Sequence, residues 1–146
     1  MITISHMTED HIPQIVELEQ ICFSDPWSAN AFAYELKNSL SIWLVALDGD
    51  TVTGYVGSQT VLDESDMMNI AVRPEYRRKG IGNLLVKELS EILRKNDVKT
   101  LSLEVRKSNY AAISLYDSLD FVQVGIRPNY YRHPKEDAII MRKELC

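Results

Sequence analysis

The stretch Arg77-Arg78-Lys79-Gly80-Ile81-Gly82 decides the fold of this chain, because it joins a segment with the periodicity of a strand to one with that of a helix. The apolar residues 67–72 before it form the strand pattern, which Arg73-Pro74 closes. The leucines and isoleucines after it continue a helical pattern to about Asn96. A basic, glycine-containing loop between a strand and a helix presents free backbone N–H groups at the positive end of a helix dipole. The stretch therefore predicts a phosphate-binding turn.

The loop differs from two common phosphate-binding motifs. It lacks the Gly-Lys-Ser/Thr ending of a P-loop, which argues against hydrolysis of a nucleoside triphosphate. It also lacks the three-glycine dinucleotide fingerprint, and the chain is short for a full Rossmann domain. Arg/Gln-x-x-Gly-x-Gly after a strand is instead typical of the GNAT N-acetyltransferases, which bind acetyl-CoA there and which this segment resembles. On these six residues alone, a solvated basic turn is the competing interpretation.

The bulk composition is that of one globular domain spanning residues 1–146, with 45% hydrophobic and 25% charged residues. No apolar stretch approaches the ~20 residues of a membrane span, and the N-terminus has no signal-peptide pattern. We therefore expect a cytoplasmic protein with no membrane partner. Cys22, Cys146 and three scattered histidines form neither a disulfide framework nor a metal-ligand motif, so we expect no metal.

The net charge of −5 argues against a nucleic-acid partner, since such binding depends on neutralising phosphates. The cations at Arg73, Arg77, Arg78 and Lys79 are local and fit one phosphorylated cofactor better. The remaining acidic surface favours a cationic partner.

The pattern of the whole chain predicts an α+β fold of the α/β/α kind, without repeats or linkers. We expect a mixed, mostly antiparallel sheet of about six or seven strands, flanked by about four helices, with a parallel crossover at the phosphate turn. Strands are predicted at 2–4, 41–47, 51–61, 67–72, 100–105, 121–125 and 138–144. Helices are predicted at about 11–24, 29–37, 81–96 and 110–119.

Local signals refine these elements. Asp10 is the expected cap of the first helix, because Pro13 is tolerated only in its first turn. Ser28 is the expected cap of the second helix. Residues 63–66 are expected to form an acidic turn before the strand at 67–72. The main helix is expected to bury a stripe made of Ile81, Leu84, Leu85, Leu89, Ile92 and Leu93.

Glu104 is the first candidate for chemistry. Leu101, Leu103 and Val105 share one face of the strand at 100–105, so Glu104 points to the other face. It either projects into a cleft beside the cofactor or is an exposed carboxylate paired with an Arg or Lys.

The next helix adds two further candidates. Asn109 can cap it, and Tyr116 lies seven residues on, which returns to nearly the same helix face. Taken singly, Asn109 reads as a simple cap and Tyr116 as a core aromatic. Together with the phosphate turn and Glu104, they indicate a catalytic site.

Several segments together resemble the RimI-type ribosomal-protein-alanine N-acetyltransferases within the GNAT superfamily, and the resemblance covers essentially the whole domain. Its most specific segments are the strand and loop that begin at Asn69-Ile70-Ala71-Val72 and the stretch that runs from Leu103-Glu104-Val105-Arg106 through Ser108-Asn109 to Leu115-Tyr116-Asp117-Ser118-Leu119. The segment 23–28 around Trp27 and Asn129-Tyr130-Tyr131 separate this subfamily from other GNAT proteins. One departure is Leu119-Asp120-Phe121, where the family usually has Leu-Gly-Phe. Because Asp tolerates the left-handed conformation, we expect Asp120 to end the helix as glycine would.

The resemblance implies acetyl-CoA as cosubstrate and assigns site residues by position. The pantetheine arm would bond to the backbone of residues 70–72, and the pyrophosphate would lie on backbone N–H groups of residues 78–83. Glu104 would be the general base and Tyr116 the general acid. The implied cofactor-binding residues are Ile70, Ala71, Val72, Arg77, Arg78, Lys79, Gly80, Ile81, Gly82, Asn83 and Asn109.

The implied chemistry is physically consistent. A peptide α-amine has a pKa of about 8, so much of it must lose a proton before it attacks a thioester. Glu104 would take that proton directly or through water, and a backbone N–H of residues 70–72 would hold the oxyanion. Tyr116 would protonate or hydrogen-bond the leaving thiolate. We expect direct transfer, since Cys22 and Cys146 lie far from the site in sequence.

The implied acceptor is the N-terminal alanine of a basic small-subunit ribosomal protein. Asp63 and Glu64 would attract it, and Trp27, Tyr130 and Tyr131 would line its groove; a solvated acidic loop and ordinary packing aromatics are the competing interpretations. Three alternative functions stay open: acetylation of a small amine such as a polyamine, a broader N-terminal specificity, and a non-catalytic acetyl-CoA-binding module.

Overall fold

The computed structural model describes residues 1–145, and it contains the expected mixed sheet of seven strands with four α-helices around it. Within those residues, no helix is long and apolar enough to cross a membrane. The elements in chain order are β1 (Ile2–His6), α1 (Ile12–Cys22), α2 (Ala29–Leu36), β2 (Ser41–Asp48), β3 (Thr51–Val61), β4 (Glu64–Val72), α3 (Ile81–Lys95), β5 (Thr100–Arg106), α4 (Tyr110–Ser118), β6 (Val122–Arg132) and β7 (Lys135–Glu144). Short 3-10 turns lie at Glu9–His11 and Pro74–Tyr76.

The sheet has the strand order β1-β2-β3-β4-β5-β7-β6. All neighbouring strands are antiparallel except β4 and β5, which α3 joins as a parallel crossover. In the described part of the chain, the ladder between β4 and β5 has only three pairs, from Glu64 opposite Thr100 to Asp66 opposite Ser102. Both strands continue beyond that ladder, so the sheet has a gap at its centre.

A bulge in β4 lies at the start of this gap. Asn69 pairs with Gly57 and Met67 pairs with Ser58, so Met68 has no partner of its own in β3. An extra residue bends a strand and increases its twist. The bulge therefore accompanies the divergence of β4 from β5.

Two apolar cores cover the faces of the sheet. On one face, α3 and α4 pack against the strands through residues such as Leu85, Leu89 and Leu103. On the other face, α1 and α2 contribute Ile15, Leu18 and Phe32. Burying each of these side chains contributes roughly 1.5–3 kcal/mol. The predicted stripe of α3 is confirmed except at Leu84, which is 44% exposed because it lies at the edge of the helical face.

Three local expectations are confirmed. The Ser28 side chain accepts a hydrogen bond from the Ala31 N–H and caps α2. The Asn109 side chain accepts one from the Ala112 N–H and caps α4. Asp120 has a φ of 73°, the left-handed conformation for which the family uses glycine.

Other local expectations were wrong. Asp10 does not cap α1: it lies inside the 3-10 turn that Thr8 begins, and α1 starts at Ile12 with Pro13 in its first turn. The acidic residues from Glu64 to Asp66 lie in β4 and not in a turn, because pairing with β3 and β5 holds them extended. The last two strands are longer than predicted, since they form a hairpin around residues 133–134 that no alternation of apolar residues marks.

Candidate active site

The free edge of β4 is the first part of the site. The Arg73 N–H donates to the Thr53 carbonyl at 2.7 Å, which fixes the alternation of the antiparallel ladder between β3 and β4. By that alternation, Ala71 directs its backbone groups to β3, whereas Ile70 and Val72 direct theirs into the gap beside β5. The Val72 carbonyl already accepts a hydrogen bond from Arg77, and the Ile70 N–H already donates to the Asn69 side chain. The Ile70 carbonyl and the Val72 N–H are therefore the groups to which an extended ligand can add like another strand.

The phosphate turn has the backbone geometry that the sequence indicates. Arg78 and Gly80 have positive φ angles of 64° and 80°, and α3 begins directly afterwards. The Leu84 N–H is the first to bond within the helix, to the Gly80 carbonyl, so the N–H groups of residues 81–83 lie at the open helix end. A Cβ at Gly80 would meet nothing within 4 Å, so this glycine serves the backbone angle. At Gly82 a Cβ would lie 3.2 Å from Leu115, so that glycine allows α3 to approach α4.

The cations of the turn divide into structural and exposed groups. Arg73 is buried and bonds to the Val52 carbonyl and to Glu17 at 2.8 Å. Arg77 donates to the Val72 carbonyl at 3.1 Å and contacts the Cys22 sulfur at 3.4 Å. Both arginines therefore hold the strand end in place. Arg78 and Lys79 are exposed at the turn itself, with the Lys79 ammonium 5.1 Å from the centre of the Tyr76 ring.

Of the two cysteines, Cys22 lies among the described residues. Cys22 lies far from the site in sequence, but the fold brings its thiol 3.9 Å from the Val72 carbonyl. Burial raises the pKa of this thiol above its ordinary value, although Arg77 opposes the shift. A neutral thiol is a poor nucleophile, which is consistent with direct transfer. Cys146 lies outside the described residues.

Glu104 points away from the buried Leu103 and Val105, as the alternation predicts. Its carboxylate forms an ion pair with the Arg127 guanidinium of β6 at 3.3 Å, and both side chains are partly exposed. This contact is the one that the competing interpretation of Glu104 expects, and a role beside the cofactor stays a prediction. The Glu104 carboxylate lies on the less buried face of β5, where it is paired with the Arg127 guanidinium.

An aromatic and cationic cluster surrounds Glu104. The Arg106 guanidinium lies 4.3 Å from the centre of the Tyr131 ring, and that of Arg127 lies 5.8 Å from the centre of the Tyr130 ring. The two tyrosine rings meet edge to face at 5.1 Å. Burial is the main cause that raises the pKa of Tyr131 to about 12, and Tyr130 and Glu104 contribute further. The tyrosine pair thus lies near the candidate base, and its role in an acceptor groove stays a prediction.

Tyr116 is buried beneath the same region. Its ring packs 5.6 Å from that of Phe121, and burial raises the pKa of its phenol well above the ordinary value. The Tyr131 phenol adds to this shift, so the two hydroxyl groups interact electrostatically. Tyr131 interacts with Glu104 in the same way. Tyr131 thus lies within electrostatic range of both the candidate base and the candidate acid.

The other expected site residues lie at different places around the gap. Trp27 is half-buried and packs against Phe32 and Trp43, with ring centres 5.3 and 5.6 Å away. Asn109 is exposed beside β5, and its side-chain oxygen is used by the helix cap. Asp63 and Glu64 lie at the far end of β4, four residues or roughly 13 Å along the sheet from the level of Glu104.

Sequence reasoning missed four residues of this region. Arg106 and Arg127 contact the tyrosine pair, and Glu19 and Asn69 form a buried hydrogen bond beside the free edge of β4. Arg127 stands four residues before Tyr131, and that proximity is the one available signal for it. Glu19 lies 50 positions from Asn69, and nothing local marks their contact.

Comparison with known proteins shows the same architecture. The sequence model of the acetyltransferase (GNAT) family matches residues 12–121. The [ribosomal protein bS18]-alanine N-acetyltransferase of Escherichia coli K12 is 41% identical over 143 residues, 97% of this chain and 96% of that protein. The protein of the same name from Haemophilus influenzae is 37% identical over 147 residues, 97% of each chain. The crystal structure of the ribosomal-protein-S18-alanine N-acetyltransferase from Escherichia coli has a TM-score of 0.91 at 39% identity, covering 99% of this chain and 94% of that one.

Proposed function

The chain belongs to the GNAT acetyltransferase family, and we propose that it transfers the acetyl group of acetyl-CoA to the N-terminal α-amine of a ribosomal protein that begins with alanine. The observation that carries this proposal is the likeness, along almost the whole chain, to relatives named for that reaction. The acceptor is made on ribosomes, so we place the reaction in the cytoplasm.

Acetyl-CoA supplies an activated thioester, and the chain offers two matching surfaces for it. The gap-facing Ile70 carbonyl and Val72 N–H suit the amide groups of an extended pantetheine arm. The open N-terminus of α3, with exposed Arg78 and Lys79, suits the pyrophosphate. Asn109 lies beside this path, at the start of α4.

Glu104 acts as the general base in this proposal. The α-ammonium group of the acceptor replaces the Arg127 guanidinium as the cation beside the carboxylate and then gives up a proton to it, directly or through water. The free amine attacks the thioester carbonyl, and the C–S bond breaks as the amide C–N bond forms. The nitrogen gives its remaining extra proton to water, and the sulfur leaves as the CoA thiolate. No covalent enzyme intermediate is needed, since the two substrates meet in one gap.

Tyr116 acts as the general acid and Tyr131 supports it. Both phenols have pKa values raised by burial, so both are protonated at neutral pH and able to donate a hydrogen bond that stabilises the leaving thiolate. Tyr131 is close enough to Tyr116 to influence its pKa, which makes Tyr131 the second candidate for this role.

The acceptor groove is lined by Trp27, Tyr130 and Tyr131 in this proposal. Asp63 and Glu64, at the far end of β4, attract the basic residues that follow the N-terminal alanine. The net charge of −5 supports a cationic acceptor in the same way.

The test is incubation with acetyl-CoA and a basic peptide that begins with alanine, with product analysis by mass spectrometry. The same peptide with a blocked N-terminus is the control, and a polyamine is a competing acceptor. Acetylation of the α-amine alone supports the proposal. Transfer only to the polyamine would keep the family and move the function to small amines, whereas binding without any transfer would indicate a non-catalytic module.

A further inference from the structure

Glu19 is a buried carboxylate that the transfer chemistry described above does not use. It lies on α1 and has no exposed surface. One carboxylate oxygen accepts the Trp27 backbone N–H at 2.8 Å, and the other accepts the Asn69 side-chain N–H at 2.7 Å. A buried carboxylate is costly to desolvate, and each oxygen here has a donor from a different element. Glu19 thus ties α1 to the segment before α2 and to β4.

Asn69 continues this connection to the free edge of β4. Its side-chain oxygen accepts the Ile70 N–H at 3.1 Å, and its amide nitrogen also donates to the Tyr55 hydroxyl at 3.2 Å. A carboxylate only accepts hydrogen bonds, so Glu19 sets which end of the Asn69 amide faces which partner. The orientation of the amide beside Ile70 therefore depends on Glu19.

The two carboxylate oxygens of Glu19 connect to the two substrate surfaces of the proposed function, one directly and one through Asn69. Trp27 stands in the wall proposed for the acceptor, and Ile70 stands in the edge proposed for pantetheine. We propose that Glu19 is a positioning residue for acceptor binding, which holds the segment at residues 23–28 at a fixed distance from β4. This inference rests on the proposed function for the assignment of Trp27 to the acceptor side.

The Glu19→Gln variant tests the connection with almost no change of shape. A carboxamide has one acceptor oxygen, but Trp27 and Asn69 both present N–H donors to this side chain, so one donor loses its partner. We expect the KM for the acceptor to rise about tenfold and kcat to fall, because a buried donor without a partner is costly and the segment moves away. The affinity for CoA is expected to fall by less than the acceptor KM rises, since Glu19 bonds directly to the Trp27 N–H but reaches Ile70 only through Asn69.

Exchanging the two polar groups separates positioning from stability. In the Glu19→Gln/Asn69→Asp double variant, the oxygen of the new carboxamide accepts the Trp27 N–H, and its nitrogen donates to the new carboxylate at position 69. The second oxygen of that carboxylate accepts the Ile70 N–H. Each of these bonds is restored, with the donor and acceptor exchanged between positions 19 and 69. We expect the acceptor KM to return to within about threefold of the wild-type value.

Glu35→Gln is the matched control. Glu35 is also a buried glutamate, but it lies on α2, and its carboxylate accepts a bond from the Ser41 hydroxyl at 2.9 Å. We expect this variant to leave the acceptor KM unchanged, even where it lowers the melting temperature as much as Glu19→Gln does.

Hydrogen exchange of residues 23–28 gives a readout that needs no acceptor. We expect faster exchange of the Trp27 amide in Glu19→Gln, recovery in the double variant and no change in Glu35→Gln. If the wild type acetylates a polyamine instead of the peptide, the proposed function fails, and the KM test is repeated with that amine. An unchanged acceptor KM with unchanged exchange, or a double variant that does not recover, would overturn the role of Glu19.

Discussion

The phosphate turn and the acceptor side of the gap are built in opposite ways. The turn uses consecutive residues 77–83, and its backbone angles follow from a strand, two glycines and a helix start. The proposed acceptor side instead uses side chains on separate elements and loops, in two groups: Glu19 with Trp27, and Glu104 with Arg127 and Tyr131. A contiguous motif carries its own geometry, whereas an assembled site depends on the packing of the whole domain. The two halves should therefore respond differently to substitution.

The largest effect is expected on the acceptor side, at Glu104. Glu104→Gln removes the proton acceptor but keeps the size of the side chain, so we expect kcat to fall by about 10²-fold or more. CoA affinity and thermal stability are expected to stay close to wild type. Steady-state rates measured against pH provide the check. A variant that keeps the wild-type pH–rate profile would remove Glu104 as the base.

The next largest effect on kcat is expected at the two tyrosines, Tyr116 and Tyr131. Tyr116→Phe is expected to lower kcat by about tenfold and Tyr131→Phe by less, because each removes one of two interacting phenols. Burial raises the pKa of Tyr131 to about 12 and that of Tyr116 above its ordinary value, so both stay protonated at pH 9. Wild-type rates should consequently not decline between pH 8 and 9 through these groups. Full turnover in Tyr116→Phe would assign the acid role to Tyr131.

A smaller effect is expected at the phosphate turn. Gly80→Ala places a side chain at a φ of 80°, which costs about 1–2 kcal/mol and should weaken CoA binding about tenfold with little change in kcat. Gly49→Ala is the matched control, because Gly49 also has a positive φ of 60° but lies in the turn between β2 and β3. Calorimetric titration with CoA checks both variants. Equal losses of CoA affinity in the two would mean that the turn is not a specific site.

The smallest effect is the pH dependence of stability at Glu19. Burial raises the pKa of Glu19 in the folded protein above its unfolded value of 4.5. The folded state then holds the proton more tightly, so this contribution to stability is complete below pH 4.5 and is lost as the pH rises through the folded pKa. We expect the unfolding free energy of wild type relative to Glu19→Gln to decrease from pH 4 to pH 7. Denaturant unfolding at both values checks the sign, and a constant difference would contradict it.

Some features of the proposed acceptor side could be predicted from the sequence. The alternation around Glu104 correctly predicts which way it points. The assignment of Tyr130 and Tyr131 to the acceptor groove stays a prediction. Arg127 and Asn69 were missed because their contacts cross between strands or between helix and sheet. The wrong cap at Asp10 and the misplaced acidic turn have a different cause. Asp10 lies inside a 3-10 turn and so does not cap the helix, and Glu64 to Asp66 pair with β3 and so do not form a turn. In both places the contacts formed in the fold outweighed the local preferences of the residues.

The sequence by itself determined the fold class, the family and the phosphate turn, because periodicity and turn chemistry act between residues a few positions apart. It also determined which face of β5 carries Glu104, since side chains alternate along any strand. Only the tertiary structure decided that the pairing of β4 with β5 ends after Asp66 and that Arg127 forms an ion pair with Glu104. It also decided that Glu19 accepts hydrogen bonds from both Trp27 and Asn69. Those contacts depend on strand order, register and helix packing, which set the distance between residues that are 8 to 50 positions apart in the chain.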